Sequence, residues 1–190
     1  YYRWYSQKEF TWNGITQSNR NGLLWRDSTV DGMKTGFTDT AGYCLVSSAL
    51  RDGMRLVAVV LGTDSPAARE RESQTLLNYG YRFYETKLLL PAGKAISEAR
   101  VWKGETELVD VGVKRNVWVT VPRGTADQLK PTYTLPAQLM APLDPGTELG
   151  TVRVTLGDRT VAETGLYPLK PVATGSLWQQ GRDWVLLWFE

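Results

Sequence analysis

The distribution of proline constrains the fold of this chain more than any other feature of its sequence. Eight of the nine prolines lie between positions 91 and 171, and the first 90 residues contain only Pro66. Proline breaks helix interiors because its nitrogen carries no hydrogen and its ring collides with the preceding turn. We therefore expect a long helix before position 91, and short strands joined by turns across the proline-rich segment.

The first region, residues 1–87, is predicted to contain a strand hairpin. Two apolar runs, 43–49 and 54–61, flank the pair Asp52-Gly53, which is a hairpin turn signal. The second run is almost continuously apolar, so we expect both of its faces to be covered, most simply by helices. This pattern predicts helices layered on a sheet.

A helix is predicted to follow this hairpin. Ser65 is a good N-cap, and Pro66 suits the first helical position. The charged run 69–72 (Arg-Glu-Arg-Glu) is expected to lie largely on the solvated side of the helix. Helical spacing predicts the face that packs on the sheet, which consists of Leu76, Gly80 and Phe83/Tyr84, with Leu77 and Tyr81 beside them.

The second region, residues 88–174, is predicted to be a small all-β domain, a sandwich or a barrel. Its short β-like runs are separated by turn signals and show no helical period. These runs are 107–109, 117–121, 133–135, 150–156 and 160–162. With the first region, they predict an α+β chain.

The third region, residues 175–190, is predicted to be an amphipathic helix. Gln179 and Asp183 lie on its polar side, with Arg182 at the edge. One interpretation is a helix packed on the second domain, and the other is a helix lying in a membrane interface, where tryptophan is favoured. The apolar arc consists of Leu177, Trp178, Trp184, Val185, Trp188 and Phe189.

Composition excludes several classes of function. The chain has no histidine, which removes Ser/His/Asp triads and most catalytic zinc sites. Its single cysteine, Cys44, excludes a disulfide framework, and a net charge of +2 gives no reason to expect nucleic acid as a partner. No metal cluster or phosphate-binding glycine loop is evident, so we predict no cofactor.

The tripeptide Lys34-Thr35-Gly36 is the first candidate for chemistry. On a strand edge, the lysine ammonium and the threonine hydroxyl can face a carboxylate together, and glycine leaves room for a substrate backbone to approach. The same tripeptide is one of three elements of the serine β-lactamases and penicillin-binding proteins. By itself, a tripeptide of this kind also fits a solvated turn.

The surrounding residues resemble a known family along essentially the whole chain. The segment 30–43 (Val-Asp-Gly-Met-Lys-Thr-Gly-Phe-Thr-Asp-Thr-Ala-Gly-Tyr) resembles the third active-site strand of low-molecular-weight penicillin-binding proteins. These are the D-alanyl-D-alanine carboxypeptidases of Gram-negative bacteria, of the penicillin-binding protein 5/6 type. Similar segments are 13–15, 19–25, 69–73, 80–86, 121–124 and 141–143, and residues 175–190 occupy the place of the family's membrane anchor.

The resemblance implies a role for several residues. Lys34 would set the electrostatics of the acylation site, and Thr35 with Arg20 would bind the terminal carboxylate of a D-Ala-D-Ala peptide or a β-lactam. The strand through Gly36 would pair with the peptide backbone. The N–H of Phe37, where many relatives carry histidine, would be half of an oxyanion hole. Arg69 matches a substrate-binding arginine of the family near the rim of the site.

The chain departs from the family in one respect. The family needs a nucleophilic serine in a Ser-x-x-Lys motif and also a Ser-x-Asn motif, and no serine here begins either one. Both motifs lie upstream in the family, so we predict that this chain alone is inactive. Residues 1–5, Tyr-Tyr-Arg-Trp-Tyr, look like the middle of a domain. Either a longer enzyme was cut, or a second chain carries the upstream catalytic half.

Two functions are therefore compared. In the first, the first region is the C-terminal portion of a penicillin-binding catalytic domain, and the complete enzyme removes the terminal D-Ala from peptidoglycan pentapeptides. In the second, the β-rich region and terminal helix are a non-catalytic stalk that docks on a membrane or on other proteins. The resemblance implies a periplasmic protein, peripheral on the outer face of the inner membrane, whose partners are peptidoglycan, β-lactams and the membrane surface.

Overall fold

Strands make up most of the regular secondary structure in the computed structural model, which describes residues 1–188. This part of the chain contains thirteen strands and three α-helices, a mixed α and β architecture with few helices. Two compact units can be distinguished, one of residues 1–86 and one that begins at Lys87.

The first unit is a three-stranded antiparallel sheet with one long helix packed on it. Strands β3, β4 and β5 lie side by side in that order. A short 3-10 helix, Tyr2–Ser6, precedes the separate β1–β2 hairpin. The bounds are β1 Glu9–Trp12, β2 Ile15–Ser18, α1 Leu23–Arg26, β3 Val30–Thr38, β4 Gly42–Arg51, β5 Met54–Thr63 and α2 Pro66–Phe83.

The β4–β5 hairpin confirms the turn predicted around Asp52-Gly53. Arg51 pairs with Met54, and the two residues between them both have positive φ, 48° for Asp52 and 79° for Gly53. Two-residue hairpin turns of this type need positive φ at both central positions, and Asp-Gly supplies it at low strain. The local sequence therefore determines the register of this pair of strands.

Helix α2 begins as predicted, but its packing face differs from the predicted one. The Ser65 hydroxyl accepts a hydrogen bond from the Ala68 N–H at 3.1 Å, and Pro66 is the first helical residue. Leu77 is 1% exposed, whereas Leu76 and Phe83 are about half exposed. The prediction that Leu76, Phe83 and Tyr84 face the sheet is wrong, because Leu77 and Tyr81 pack on that side and Tyr84 lies beyond the last helical residue.

The prediction that both faces of β5 are covered is also wrong for the described chain. Helix α2 covers one face, where Ala58 and Val60 are buried. On the opposite face Val57, Val59 and Leu61 are 56%, 56% and 70% exposed. Successive side chains of a strand point to opposite faces, so a single helix can bury only every second residue.

The second unit is rich in β-structure. Six strands form a sheet in the order β10-β12-β13-β8-β7-β11, and β6 pairs with β9. Most pairs are antiparallel, and β7–β11 is parallel. The bounds are β6 Tyr84–Leu90, β7 Ala95–Trp102, β8 Leu108–Gly112, β9 Val117–Pro122, β10 Leu129–Thr134, β11 Leu139–Met140, β12 Gly150–Leu156 and β13 Arg159–Pro168.

Helix α3, Leu177–Leu186, follows these strands. Ser176 and Gln179 form a capping box, in which each side chain satisfies a backbone N–H at the start of the helix. The predicted apolar arc is exposed at Leu177, Trp178, Trp184, Val185 and Trp188, and Phe189 lies outside the described residues. Among residues 1–188, no helix has both the length and the apolar character needed to cross a membrane.

Candidate active site

The Lys34-Thr35-Gly36 tripeptide lies on an edge strand. Within residues 1–188, β3 pairs only with β4, with Thr35 opposite Leu45 and Gly36 opposite Cys44. An edge strand presents backbone N–H and C=O groups that an extended peptide can pair with. The geometry is therefore suited to recognition of a peptide by strand addition.

The side chains of this strand leave the edge accessible. Lys34 is exposed, Thr35 is half-buried, and the Lys34 ammonium donates a hydrogen bond to the Thr35 carbonyl at 2.5 Å. A Cβ added at Gly36 would meet only Cys44, at an ordinary contact distance of 3.7 Å. Glycine is thus not required there by internal packing, and its effect is to leave the strand surface bare beside the ammonium group.

Phe37 continues the strand and packs on its neighbour. Its ring centroid lies 4.4 Å from that of Tyr43, the residue opposite it in β4. The ring is about half exposed, and the backbone N–H belongs to the edge strand. This stacking fixes the strand just after the tripeptide.

Arg20 lies between two asparagines that fix its backbone. Asn21 is buried, and its amide donates to the Gly32 carbonyl at 3.0 Å while its oxygen accepts from the Leu23 N–H at 3.2 Å. Asn19 donates to the Gln7 carbonyl at 3.0 Å. Sequence analysis missed this function of the two asparagines, although their positions on either side of Arg20 were a usable signal.

Arg69 joins the Arg20 segment to the tripeptide. Its guanidinium donates to the Arg20 carbonyl at 3.1 Å and to the Gly36 carbonyl at 3.5 Å, and it lies 5.6 Å from the Tyr43 ring centroid. The residue is only 5% exposed. The prediction that Arg69 is solvated is wrong, because hydrogen bonds to these two carbonyls keep its side chain buried. Its predicted contact with substrate stays a prediction.

Glu70 has a similar function one residue later. It is 7% exposed and accepts from the Gly22 N–H at 3.2 Å, and it forms an ion pair with Arg26 at 3.2 Å. A Cβ at Gly22 would collide with the Glu70 carboxylate, so a larger residue there would displace this side chain from its bonds. The prediction of a solvated Glu70 is wrong as well. No local pattern could have revealed a partner 48 residues away.

Asp27 connects the segment that leads into β3 with helix α2 and strand β4 through hydrogen bonds. Its carboxylate accepts from Thr29, from Gln74 of α2 at 2.9 Å and from Arg51 of β4 at 2.6 Å. Partial burial raises the pKa of Asp27, but these hydrogen bonds lower it more, and the net pKa is well below its ordinary value. Asp27 therefore links the helix and the sheet as an ionised group.

Candidate metal ligands are sparse in this part of the protein. Residues 1–188 contain no group of three or more cysteines and carboxylates arranged to hold a metal ion. Cys44 is half-buried behind the tripeptide, and its thiol contacts the Ala41 carbonyl at 3.5 Å.

An edge strand that carries Lys-Thr-Gly and is backed by a helix is typical of one class of protein, the penicillin-recognising serine enzymes. Two family models match the chain, the D-alanyl-D-alanine carboxypeptidase family over residues 1–65 and the C-terminal domain of penicillin-binding protein 5 over residues 84–174. The chain belongs to the D-alanyl-D-alanine carboxypeptidases of the low-molecular-weight penicillin-binding proteins.

Individual relatives show how much of such a protein is present. D-alanyl-D-alanine carboxypeptidase DacA of Escherichia coli is 42% identical over 99% of this chain and 47% of its own length. DacD of the same organism is 39% identical over 97% of this chain and 48% of its own length. The crystal structure of penicillin-binding protein 5 from Haemophilus influenzae is 43% identical with a TM-score of 0.81, covering 90% of this chain and 51% of that one. The chain thus spans about half the length of the curated relatives it matches.

Proposed function

We propose that this chain forms the substrate-binding wall of a serine-type D-alanyl-D-alanine carboxypeptidase. The observation that supports it is the bridge from Arg69 to the carbonyls of Arg20 and Gly36, which brings the candidate carboxylate-binding residues together. The substrate would be a peptidoglycan pentapeptide ending in D-Ala-D-Ala. β-Lactams would acylate the same site.

Each residue has a defined part in this reaction. The substrate backbone pairs with the β3 edge, and its terminal carboxylate meets the Thr35 hydroxyl and the Arg20 guanidinium. The Lys34 ammonium stabilises negative charge in the acylation site. A serine oxygen from the upstream half attacks the carbonyl before the last D-Ala, whose nitrogen leaves with a proton, and the Phe37 N–H donates to the oxyanion. Water then hydrolyses the acyl-enzyme.

The upstream half completes the site in this proposal. It carries the Ser-x-x-Lys and Ser-x-Asn motifs and belongs either to the same polypeptide or to a second chain. Two features support a docking surface for it on the first unit: the exposed row Val57, Val59 and Leu61, and an edge of β5 that pairs with no strand in residues 1–188. The chain without this half is expected to be catalytically inactive.

Intact mass spectrometry under denaturing conditions, with and without excess penicillin, tests the proposal. The 21.3 kDa chain alone should gain no mass. When it is combined with a segment that carries the serine motif, that segment should gain one penicillin. A properly assembled complex that shows no adduct would overturn the assignment.

We propose a second function for α3, the docking of the protein on a membrane surface. Trp178, Trp184 and Trp188 are 83%, 65% and 84% exposed, and water is a poor environment for three indole rings. Tryptophan is favoured where headgroups meet acyl chains. In this proposal the protein is periplasmic and peripheral on the outer face of the inner membrane. Removal of residues 175–190 should release it from vesicles, and continued sedimentation of the shortened chain would contradict the proposal.

The proposed division of labour follows the three sequence regions. Residues 1–87 form the C-terminal portion of the catalytic domain, residues 88–174 form a β-rich, sandwich-like domain, and residues 175–190 form the anchor. The six-stranded sheet and the capped start of α3 support this division.

A further inference from the structure

We infer that α3 is held in place before it meets a bilayer, by a polar latch between the helix and the loop Lys103–Glu107. The latch consists of Asp183, Arg182 and Gln179 on the helix, with their partners on that loop. This inference rests on the proposed membrane docking and adds a mechanism to it: the second unit presents a preformed apolar surface, and Asp183 is the positioning residue.

Asp183 is the centre of the latch. It is 2% exposed, and one carboxylate oxygen accepts from the Lys103 N–H at 2.7 Å while the other accepts from the Arg182 guanidinium at 2.9 Å. Burial raises the pKa of Asp183, but these donors lower it more, so the carboxylate stays ionised near neutral pH. A buried carboxylate is tolerated only when it is paired and hydrogen-bonded, as this one is.

Further contacts reinforce the same interface. Arg182 forms an ion pair with Glu107 at 2.7 Å, and the Gln179 amide donates to the Glu105 carbonyl at 3.3 Å. Before the helix, the Gly175 N–H donates to the Lys103 carbonyl at 2.8 Å. A Cβ at Gly175 would lie 2.5 Å from the Gly104 carbonyl oxygen, so the close approach of the two segments requires glycine.

The length of α3 explains why a latch is needed. The helix has ten residues, and isolated helices shorter than about 12–15 residues are marginal in water. The capping box helps the first turn, but only the polar side is docked. Without the latch, the segment would spend most of its time unfolded and would have to order itself at the membrane.

The charges of α3 indicate which surface it suits. Arg182 and Asp183 are its only charged residues, and they neutralise each other. The outward side has an apolar groove of about 340 Å³ beside Trp178 and Val185. We therefore expect α3 to bind the headgroup–acyl boundary of an uncharged bilayer as well as that of an anionic one, with little dependence on salt.

Amide hydrogen exchange of the 190-residue chain without vesicles tests the latch directly. The α3 amides should be protected in the wild type and lose that protection in Asp183→Ala. Glu163→Gln is the matched control, because it removes an exposed ion pair with Arg153 that lies outside the latch and should leave protection unchanged. Gly175→Ala is a second disruptive variant that leaves every charge in place. Unprotected α3 amides in the wild type would overturn the inference.

Binding to phosphatidylcholine vesicles separates the latch from the docking itself. Trp178→Ala with Trp184→Ala should abolish binding and keep α3 protected. Asp183→Ala should bind about tenfold more weakly, if about a tenth of the unlatched chains have the helix formed. Equal affinity of Asp183→Ala and wild type would overturn the latch alone. Failure of the wild type to bind, or dimerisation that buries Trp178, would overturn the docking alone, because the exchange measurement without vesicles decides the latch independently.

Discussion

Arg69 and Glu70 are adjacent on α2, and each fixes a different part of the site through the backbone. Arg69 holds the carbonyls of Arg20 and Gly36, and Glu70 holds the Gly22 N–H. Because both side chains are buried and bonded to main-chain groups, the shape of the site depends on a helix that lies beneath it. Charged residues in this arrangement position the groups that would meet substrate.

Lys34 is the residue whose removal should affect chemistry most directly. In the complete protein, Lys34→Ala should slow acylation by penicillin by about 100-fold or more, because an aligned donor near developing charge is lost. Acylation rates from stopped-flow or gel labelling measure this. Lys130→Ala, at an exposed lysine of β10, is the control and should react normally. A near-normal rate for Lys34→Ala would refute its role.

Asp27 should make the first unit sensitive to acid. Its pKa is lower in the folded chain than the ordinary 3.8, so its stabilising effect is present above that pH and is lost as the pH falls towards the folded value. Asp27→Asn should therefore destabilise the unit by about 1–3 kcal/mol at pH 7, and the difference from wild type should shrink below pH 3.8. Exchange of β4 amides reports this free energy, with Asp39→Asn as the control. A difference that persists unchanged in acid would contradict it.

At the scale of elements, local sequence signals predicted where helices begin and where hairpins turn. They did not predict the burial of side chains whose hydrogen-bond partners are far away in the sequence. Asp52-Gly53 and Ser65-Pro66 act within a few residues of chain, so the hairpin and the start of α2 could be predicted. The burial of Arg69 depends on Gly36, 33 residues away, which no periodicity encodes. The prediction that both faces of β5 are buried failed for the same reason. An apolar run does not reveal whether the residues that would cover it belong to this chain.

Two helical glycines should respond differently to alanine. A Cβ at Gly80 would lie 2.4 Å from a methyl group of Leu56, whereas a Cβ at Gly181 would meet nothing within 4 Å. Gly181→Ala should stabilise α3 by about 0.5–1 kcal/mol through helix propensity. Gly80→Ala should destabilise α2 by about 1–3 kcal/mol, because Leu56 must move within a packed layer.

A double-mutant cycle identifies the cause of the Gly80 effect. In a Leu56→Ala background, Gly80→Ala should no longer be destabilising, since the colliding methyl group is gone. Amide exchange in α2 measures both free energies. Additive effects of the two substitutions would show that the penalty at Gly80 has another origin.

At the scale of the whole molecule, the first unit exposes a row of large apolar side chains on its sheet. The side chains of the row Val57, Val59 and Leu61 are 56%, 56% and 70% exposed. Exposed apolar patches of this kind mark surfaces that bind another part of a protein. The relatives are about twice as long as this chain, and the proposed function assigns this face to the half that carries the serine motif.

Charge placed on this face should prevent assembly. Val57→Lys with Val59→Lys should abolish penicillin labelling of the reconstituted complex, because two buried ammonium groups would have no partners. Leu108→Lys, at an exposed residue of β8, is the control and should label normally. Vesicle binding through α3 should be unchanged in both variants. Full labelling of the double variant would exclude this face as the contact surface.

Helix α3 is bonded to the loop Lys103–Glu107 on one side and exposes its tryptophans on the other, so one helix separates the loop from the apolar surface. A helix with its side chains is about 10 Å across. If the outward side enters the acyl region, Glu105 and Glu107 come to rest at the level of the lipid phosphates. The folded loop then limits how deeply the helix inserts, because its carboxylates stay outside the acyl region.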